Sequence, residues 1–320
     1  MSRIYEALRR ADLERKSRLS AELHPVEETT ANLEFAEHPA ALSDVQAPAE
    51  APALAGVMTA EVAARAWEPV TDAIPCLQEN GAVVEQFRGL RSKLSQARQD
   101  APIKCVLISS GMPSEGKSFV TMNLAMSLVR EGVNRVLLID GDLRRPTLHS
   151  LLGISNKPGL SEYLAGNAEP SEILQQWKKG SANGESFGHV LENLTFIPSG
   201  ASRENSSELV ANGRMQYLLS TLAPHFDWIL IDSPPVLAAT DAVELARSCD
   251  AVLLVAREAR TPYQVVQRAQ AAFRQSRLLG VVLNNARRIQ RYGYYYYSYY
   301  YGAAEPRVHG KRKKEVRSKG

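Results

Sequence analysis

Residues 111–118, GMPSEGKS, combine two glycines, a lysine and a serine at the spacing G-x-x-x-x-G-K-[ST]. The apolar run KCVLIS precedes them and the helix-patterned SFVTMNLAMSLV follows, which is the context a phosphate cradle requires. Gly111 and Gly116 allow a tight turn in which amide N–H groups converge on phosphate oxygens, helped by the partial positive charge of the next helix start. Lys117 reaches a terminal phosphate and the Ser118 hydroxyl ligates Mg²⁺. Met112, Pro113, Ser114, Glu115 and Phe119 complete the nucleotide-contacting segment. Two further strand-like runs end in acid: RVLLIDGDLRRP in Asp140 and Asp142, DWILIDSPP in Asp232. Hard oxygen donors on the rim of a phosphate loop suit metal binding and acceptor activation. Ser118, Asp140 and Asp232 are the expected metal shell, and Asp140 and Asp142 the candidate bases.

The elements that position these groups lie between Lys104 and Asn285. Six β-branched runs (KCVLIS, RVLLID, LTFIPS, DWILID, DAVLLVA, LGVVLN) alternate with amphipathic stretches. That alternation predicts one doubly wound α/β domain with a mostly parallel sheet covered on both faces. Ligands of such sheets sit beyond the carboxyl ends of the strands. The three aspartates should therefore share the rim of the phosphate loop.

A second concentration of chemistry follows the last strand. RYGYYYYSYYYG, residues 291–302, holds eight of the chain's 12 tyrosines: Tyr292, Tyr294, Tyr295, Tyr296, Tyr297, Tyr299, Tyr300 and Tyr301. Set between basic residues, so many phenols cannot all be core; alone they read as a low-complexity sticky tail or a surface for stacking on nucleic acid, and beside a phosphate loop as phosphoryl acceptors. A phenol with a pKa near 10 is a weak nucleophile at neutral pH, so a nearby carboxylate must take its proton. If LGVVLN runs parallel to the other strands, the cluster starts on the phosphate rim. At about 3.3 Å per residue the segment from Asn285 to Tyr301 reaches roughly 25–50 Å, enough for a neighbouring copy's site.

Net charge is +3, unevenly spread. Residues 24–75 carry nine Asp/Glu against Arg65, whereas 287–320 carry ten Lys/Arg against Glu305 and Glu315. The expected organisation is a short helix at 1–22, a disordered acidic Ala/Pro-rich linker at 23–76, the phosphate-loop domain at 77–286, and a flexible tyrosine-rich, basic tail at 287–320. Cys76, Cys105 and Cys249 form no C-x-x-C pair, no secretory leader precedes them, and no apolar run is long enough to span a bilayer. These features predict a cytoplasmic protein. The basic stretch GKRKKEVRSK offers contact with an anionic membrane surface, and nucleic acid ranks behind it.

The set GMPSEGKS, LLIDGDLRRP and ILIDSPP with a following tyrosine cluster resembles the bacterial tyrosine kinases of capsule and exopolysaccharide loci, over about residues 80–302. The opening MSRIYEALRRA is similar to soluble members of that group. The resemblance implies a P-loop fold of the MinD-like class with Walker A, A′ and B motifs. It also implies ATP and Mg²⁺ as cofactors, with autophosphorylation mostly between subunits. Lys117, Asp140, Asp142 and Asp232 would be catalytic, and Asn284 would contact the base. It further implies a homo-oligomeric ring whose contacts include Glu85, Arg88 and Arg91 of EQFRGLR. A separate chain-length-determinant-type membrane protein would act as activator and recruit the chain to the inner face of the membrane. Read from spacing alone, Glu85, Arg88 and Arg91 share one helical stripe and equally suit a solvated face. The rival is a positioning ATPase of the ParA/MinD type without protein substrate; its usual extra lysine is Met112 here. No HRD, DFG or G-x-G-x-x-G element of the eukaryotic kinases is present.

Overall fold

The computed structural model describes residues 63–178, 187–202 and 206–286. The expected helix at 1–22, most of the linker and the whole tyrosine-rich tail lie outside these residues.

In chain order the strands are β1 (Ala63–Arg65), β2 (Cys105–Ser110), β3 (Val136–Asp140), β4 (Gln175–Trp177), β5 (Leu194–Ile197), β6 (Trp228–Asp232), β7 (Ala251–Arg257) and β8 (Leu278–Asn284). The α-helices are α1 (Ala82–Asp100), α2 (Lys117–Val129), α3 (Leu148–Leu152), α4 (Leu160–Leu164), α5 (Pro170–Ile173), α6 (Gly188–Leu191), α7 (Ser206–Ala211), α8 (Arg214–Leu222), α9 (Asp241–Arg247) and α10 (Tyr263–Ala272).

The strands form one sheet in the order β1-β4-β5-β3-β6-β2-β7-β8. All pairings from β5 to β8 are parallel, and β4 joins β5 antiparallel. The six expected strands are all present. Successive residues of β2 divide between two cores: Val106 and Ile108 enter one apolar cluster, Cys105 and Leu107 the other. A period of two with both faces apolar is what a sheet buried on both sides demands. The stretch 206–223, one amphipathic run in sequence, folds as α7 and α8 broken at Gly213, whose φ is 81°.

The structure differs from the expected domain boundary. Residues 63–76, assigned from composition to the linker, are packed. β1 pairs with β4, and Glu68 N and Val70 N donate to Leu152 O and Leu151 O, both at 2.9 Å. Trp67, Ile74 and Cys76 are fully buried. Asn123 on α2 accepts the Cys76 N–H at 3.1 Å, and Arg130 donates to the Cys76 carbonyl at 2.8 Å. Isolated apolar residues spaced without period anchor this segment, so composition alone misread it. Among the described residues no helix is long and apolar enough to cross a membrane.

Candidate active site

Residues 111–116 link β2 to α2 at the carboxyl edge of the sheet. The two loop glycines are required for different reasons. Gly116 has φ 88°, and a Cβ there would lie 2.0 Å from Asn284 Nδ2. At Gly111 a Cβ would lie 2.6 Å from Val265 Cγ1 of α10. Ser114 also takes a left-handed φ of 63°, giving the alternating backbone that forms an anion-binding nest. Glu115, expected only as a nucleotide contact, braces the loop from within: it is buried, accepts the Met112 N–H at 2.8 Å and takes the Thr261 hydroxyl on its other oxygen. Asn284 donates to Glu115 O at 3.0 Å, so the end of β8 is tied to the loop. Met112, Pro113 and Ser114 are exposed. Phe119 packs edge-on against Phe87 of α1, centroids 6.0 Å apart, which makes it a helix–helix contact in this structure.

Lys117 opens α2 and turns its ammonium into the acid cluster. Nζ lies 3.1 Å from Asp142 Oδ2 and 3.6 Å from Asp232 Oδ2, and the side chains are almost wholly enclosed. Ser118 Oγ donates to Asp232 Oδ2 at 2.5 Å. Thr121 lies one turn along α2 from Lys117 and reaches Asp232 Oδ1 at 3.3 Å. Its place four residues after the motif lysine was the available sequence signal. Asp140 and Asp232 end neighbouring parallel strands in direct register, and the Gly141 N–H donates to Asp232 O at 2.8 Å. The sheet thus brings Lys117, Ser118, Asp140, Asp142 and Asp232 together on one rim.

The two aspartates of LLIDGD occupy different positions. Asp140 is fully buried and spends both oxygens on backbone N–H groups: Oδ1 on Asp142, and Oδ2 on Thr147 and Leu148 at 3.1 and 3.0 Å. Asp142 accepts the Arg145 N–H on Oδ1 at 2.9 Å and points Oδ2 at Lys117. Asp140 is therefore the organiser of the loop, and Asp142 the carboxylate beside the lysine.

Burial, then the neighbouring Asp232, pushes the Asp140 carboxyl up to about 8. Burial likewise raises Asp232, against the pull of Lys117 and Ser118. Burial opposes the charge on Lys117, but Asp232, Asp142 and Asp140 outweigh it and hold the ammonium above its ordinary value. Asp142, Asp232 and the Ser118 hydroxyl, with Asp140 behind them, make a hard-oxygen donor set of the type Mg²⁺ takes. Among the described residues no group of three or more His, Cys, Asp or Glu closes into a metal site.

The loop carrying Asp142 is held from behind by a network that spacing did not reveal. Arg144 Nε donates to Asp241 Oδ2 at 3.0 Å. Fully buried Asp241 also accepts the hydroxyls of Ser206, at 2.6 Å, and Ser207. Ser199 Oγ donates to Asp142 O at 3.3 Å and Ser202 Oγ to Arg144 O at 3.2 Å. These partners lie 34 or more residues apart in sequence, and no local pattern marks them.

Glu85 and Arg88 pair with each other on α1, and Arg88 also donates to Glu79 O at 2.7 Å. Arg91 donates to Ser127 O at 2.6 Å and pairs with Glu131 at 3.0 Å. All three therefore have partners within this chain, and Arg91 fastens α1 to α2. The tyrosines 292–301 lie outside the described residues. The strand before them runs parallel to β7, from Leu278 beside Val252 to Asn284 beside Arg257, so the chain does leave the sheet at the rim of the phosphate loop.

A family model described as ParA, NUBPL iron-transfer P-loop NTPase, matches residues 103–293. Tyrosine-protein kinase Wzc of Salmonella typhimurium is 36% identical over 222 residues, which cover 68% of this chain and 29% of that one. CapB of Staphylococcus aureus, whose name carries the same activity, is 30% identical over 67% of this chain and 90% of its own. The solved kinase domain of the Escherichia coli tyrosine kinase Etk superposes with a TM-score of 0.57 at 34% identity, covering 64% of this chain and 76% of that domain. The chain spans under a third of the length of the longer relatives.

Proposed function

The chain belongs to the bacterial tyrosine-kinase family of P-loop NTPases, and from that premise we propose that it is an ATP-dependent protein-tyrosine autokinase. Its acceptors are the tyrosines at 292–301, reached mainly on a neighbouring copy, and its output regulates exopolysaccharide or capsule polymerisation and export. The observation that carries this reading is the convergence of Lys117, Asp142 and Asp232 on the rim where β8 ends.

In the reaction a phenol oxygen bonds to the γ-phosphorus of ATP, the bond to the β-phosphate oxygen breaks, and ADP leaves while the phenolic proton is lost. The 111–118 loop holds the phosphates through its N–H groups, and Lys117 bridges the transferred group and its acid neighbours. In this reading Asp142 takes the phenolic proton; the commitment of both Asp140 oxygens to backbone supports that choice. Ser118 and Asp232 would hold Mg²⁺, with Asp140 behind them; the ion would supply charge neutralisation at the phosphates. Asn284 borders the base end of the loop.

Each phosphate adds roughly −1.5 to −2 charge to a basic tail. A few reverse its sign and drive it out of a neighbour's site, which opens the ring. A separate membrane activator and an anionic membrane surface are the proposed partners, placing the chain at the inner face of the cell membrane.

Incubation with γ-labelled ATP and Mg²⁺ followed by phosphotyrosine assay tests the reading. The family model's ParA description keeps a positioning ATPase as the second reading. That protein would release phosphate and leave every tyrosine unmodified.

A further inference from the structure

A cleft of about 960 Å³ runs between α1 and β8, from Ala97 at one end to Glu115 and Gly116 of the phosphate loop at the other. Phe87, Leu90 and Leu94 of α1 form one wall, and Leu279 and Val282 of β8 the other. β8 stands at the sheet edge, with no strand beyond it among the described residues. Val281 and Leu283 of the same strand also line the cleft and stay open, 47% and 55% exposed. An exposed apolar edge strand is a template for another strand with apolar side chains.

The chain itself supplies such a strand. Asn285, immediately after β8, has φ 56°, the left-handed turn a reversal needs, and Asn285 and Ala286 both line the mouth of the cleft. Five residues, 287–291, then separate Ala286 from the tyrosines, a length that closes a hairpin at little entropic cost. In an extended segment Tyr292, Tyr294, Tyr296 and Tyr300 fall on one face and Tyr295, Tyr297, Tyr299 and Tyr301 on the other. Tyrosine has high β-propensity, and its ring pairs an apolar body with a π-face that attracts cations. Lys93 and Arg257 line the cleft, and Arg257 Nε is buried there with no hydrogen-bond partner.

We infer that the cleft and edge of β8 are a docking site for the chain's own unphosphorylated tyrosine segment, which folds back as a ninth strand, antiparallel to β8. Docked there, the phenols are withheld from every active site, and phosphate transfer draws on the undocked fraction. The docking does not depend on kinase activity and is tested without nucleotide.

The test is hydrogen exchange with mass spectrometry on the full, phosphatase-treated chain over a wide range of concentration. Amides of 292–301 are expected to exchange roughly tenfold or more slowly than in a free peptide of that sequence, independent of dilution. Two variants should abolish that protection while β2 and β6 stay protected. Gly89→Trp fills the cleft from a position where an added Cβ meets nothing within 4 Å, and Val281→Lys charges the exposed edge. Free exchange of the wild-type segment, or protection that survives both variants, overturns the inference. So does protection that fades on dilution, which would assign the cleft to a second copy's tail.

Discussion

The Lys117 ammonium sits 3.1 Å from the Asp142 carboxylate, nearly sealed from solvent, with Asp232 at 3.6 Å on its other side. Lys117→Met removes both the phosphate contact and the only cation in direct contact with this acid cluster among the described residues. Label transfer to tyrosine is expected to fall by about 10²–10³-fold or more. The metal-free variant should also lose about 3 kcal/mol of unfolding free energy, because buried carboxylates lose their partner. Phosphotyrosine assay and urea unfolding check the two halves separately.

The different hydrogen bonding of Asp140 and Asp142 separates their variants. Asp142→Asn should lower kcat by about 10²–10⁴-fold while nucleotide affinity stays within a few-fold. Asp140→Ala frees the N–H groups of Thr147 and Leu148, so it should reduce thermal stability and nucleotide affinity together. Single-turnover kinetics with nucleotide titration distinguish the two patterns.

Asp241 gives a pH dependence away from the phosphate site. Its burial disfavours the charged form, but Arg144, Ser206 and Ser207 outweigh that and hold the carboxyl below its ordinary value. The unfolded chain therefore takes up the proton first. The stabilisation is complete above pH about 4 and is lost as pH falls through the lower folded value. Asp241→Asn is expected to cost about 2 kcal/mol at pH 7, with the gap to wild type closing in acid. Urea unfolding at neutral and strongly acid pH measures both.

Much of the site was legible because its chemistry is local. Six strands announced themselves by β-branched runs, and Lys117 and Ser118 by the spacing of one loop. The parallel course of β8 followed from the alternation of strand-like runs with helical stretches. What stayed hidden depends on contacts between distant residues. Trp67 and Ile74 join the buried cluster that holds residues of α2 and α3, without any periodic pattern around them. The bond from Arg144 to Asp241 joins positions 97 apart. The division of labour between Asp140 and Asp142 rests on which backbone N–H groups turn inward, which spacing does not encode. Glu85 and Arg88, by contrast, read as an oligomer contact or as a solvated face with an internal i,i+3 pair, and that pair is present in α1.

That pairing makes the α1 stripe separable. Arg91→Ala cuts the bond to Ser127 O and the pair with Glu131, so it should cost about 1 kcal/mol of stability in the single chain. Arg88→Ala removes a solvent-screened pair and should leave stability within about 0.5 kcal/mol. If α1 forms the ring contact, Arg88→Ala lowers the sedimentation coefficient of the unphosphorylated protein; an unchanged value would assign the stripe to solvent.

The most direct measurement is site-resolved mass spectrometry of the purified chain after exposure to ATP and Mg²⁺. The expected result is phosphate on several of Tyr292, Tyr294–Tyr297 and Tyr299–Tyr301, absent from Lys117→Met, and restored to that variant's tail when wild-type chain is added. Phosphate release with every one of these tyrosines unmodified would contradict the account.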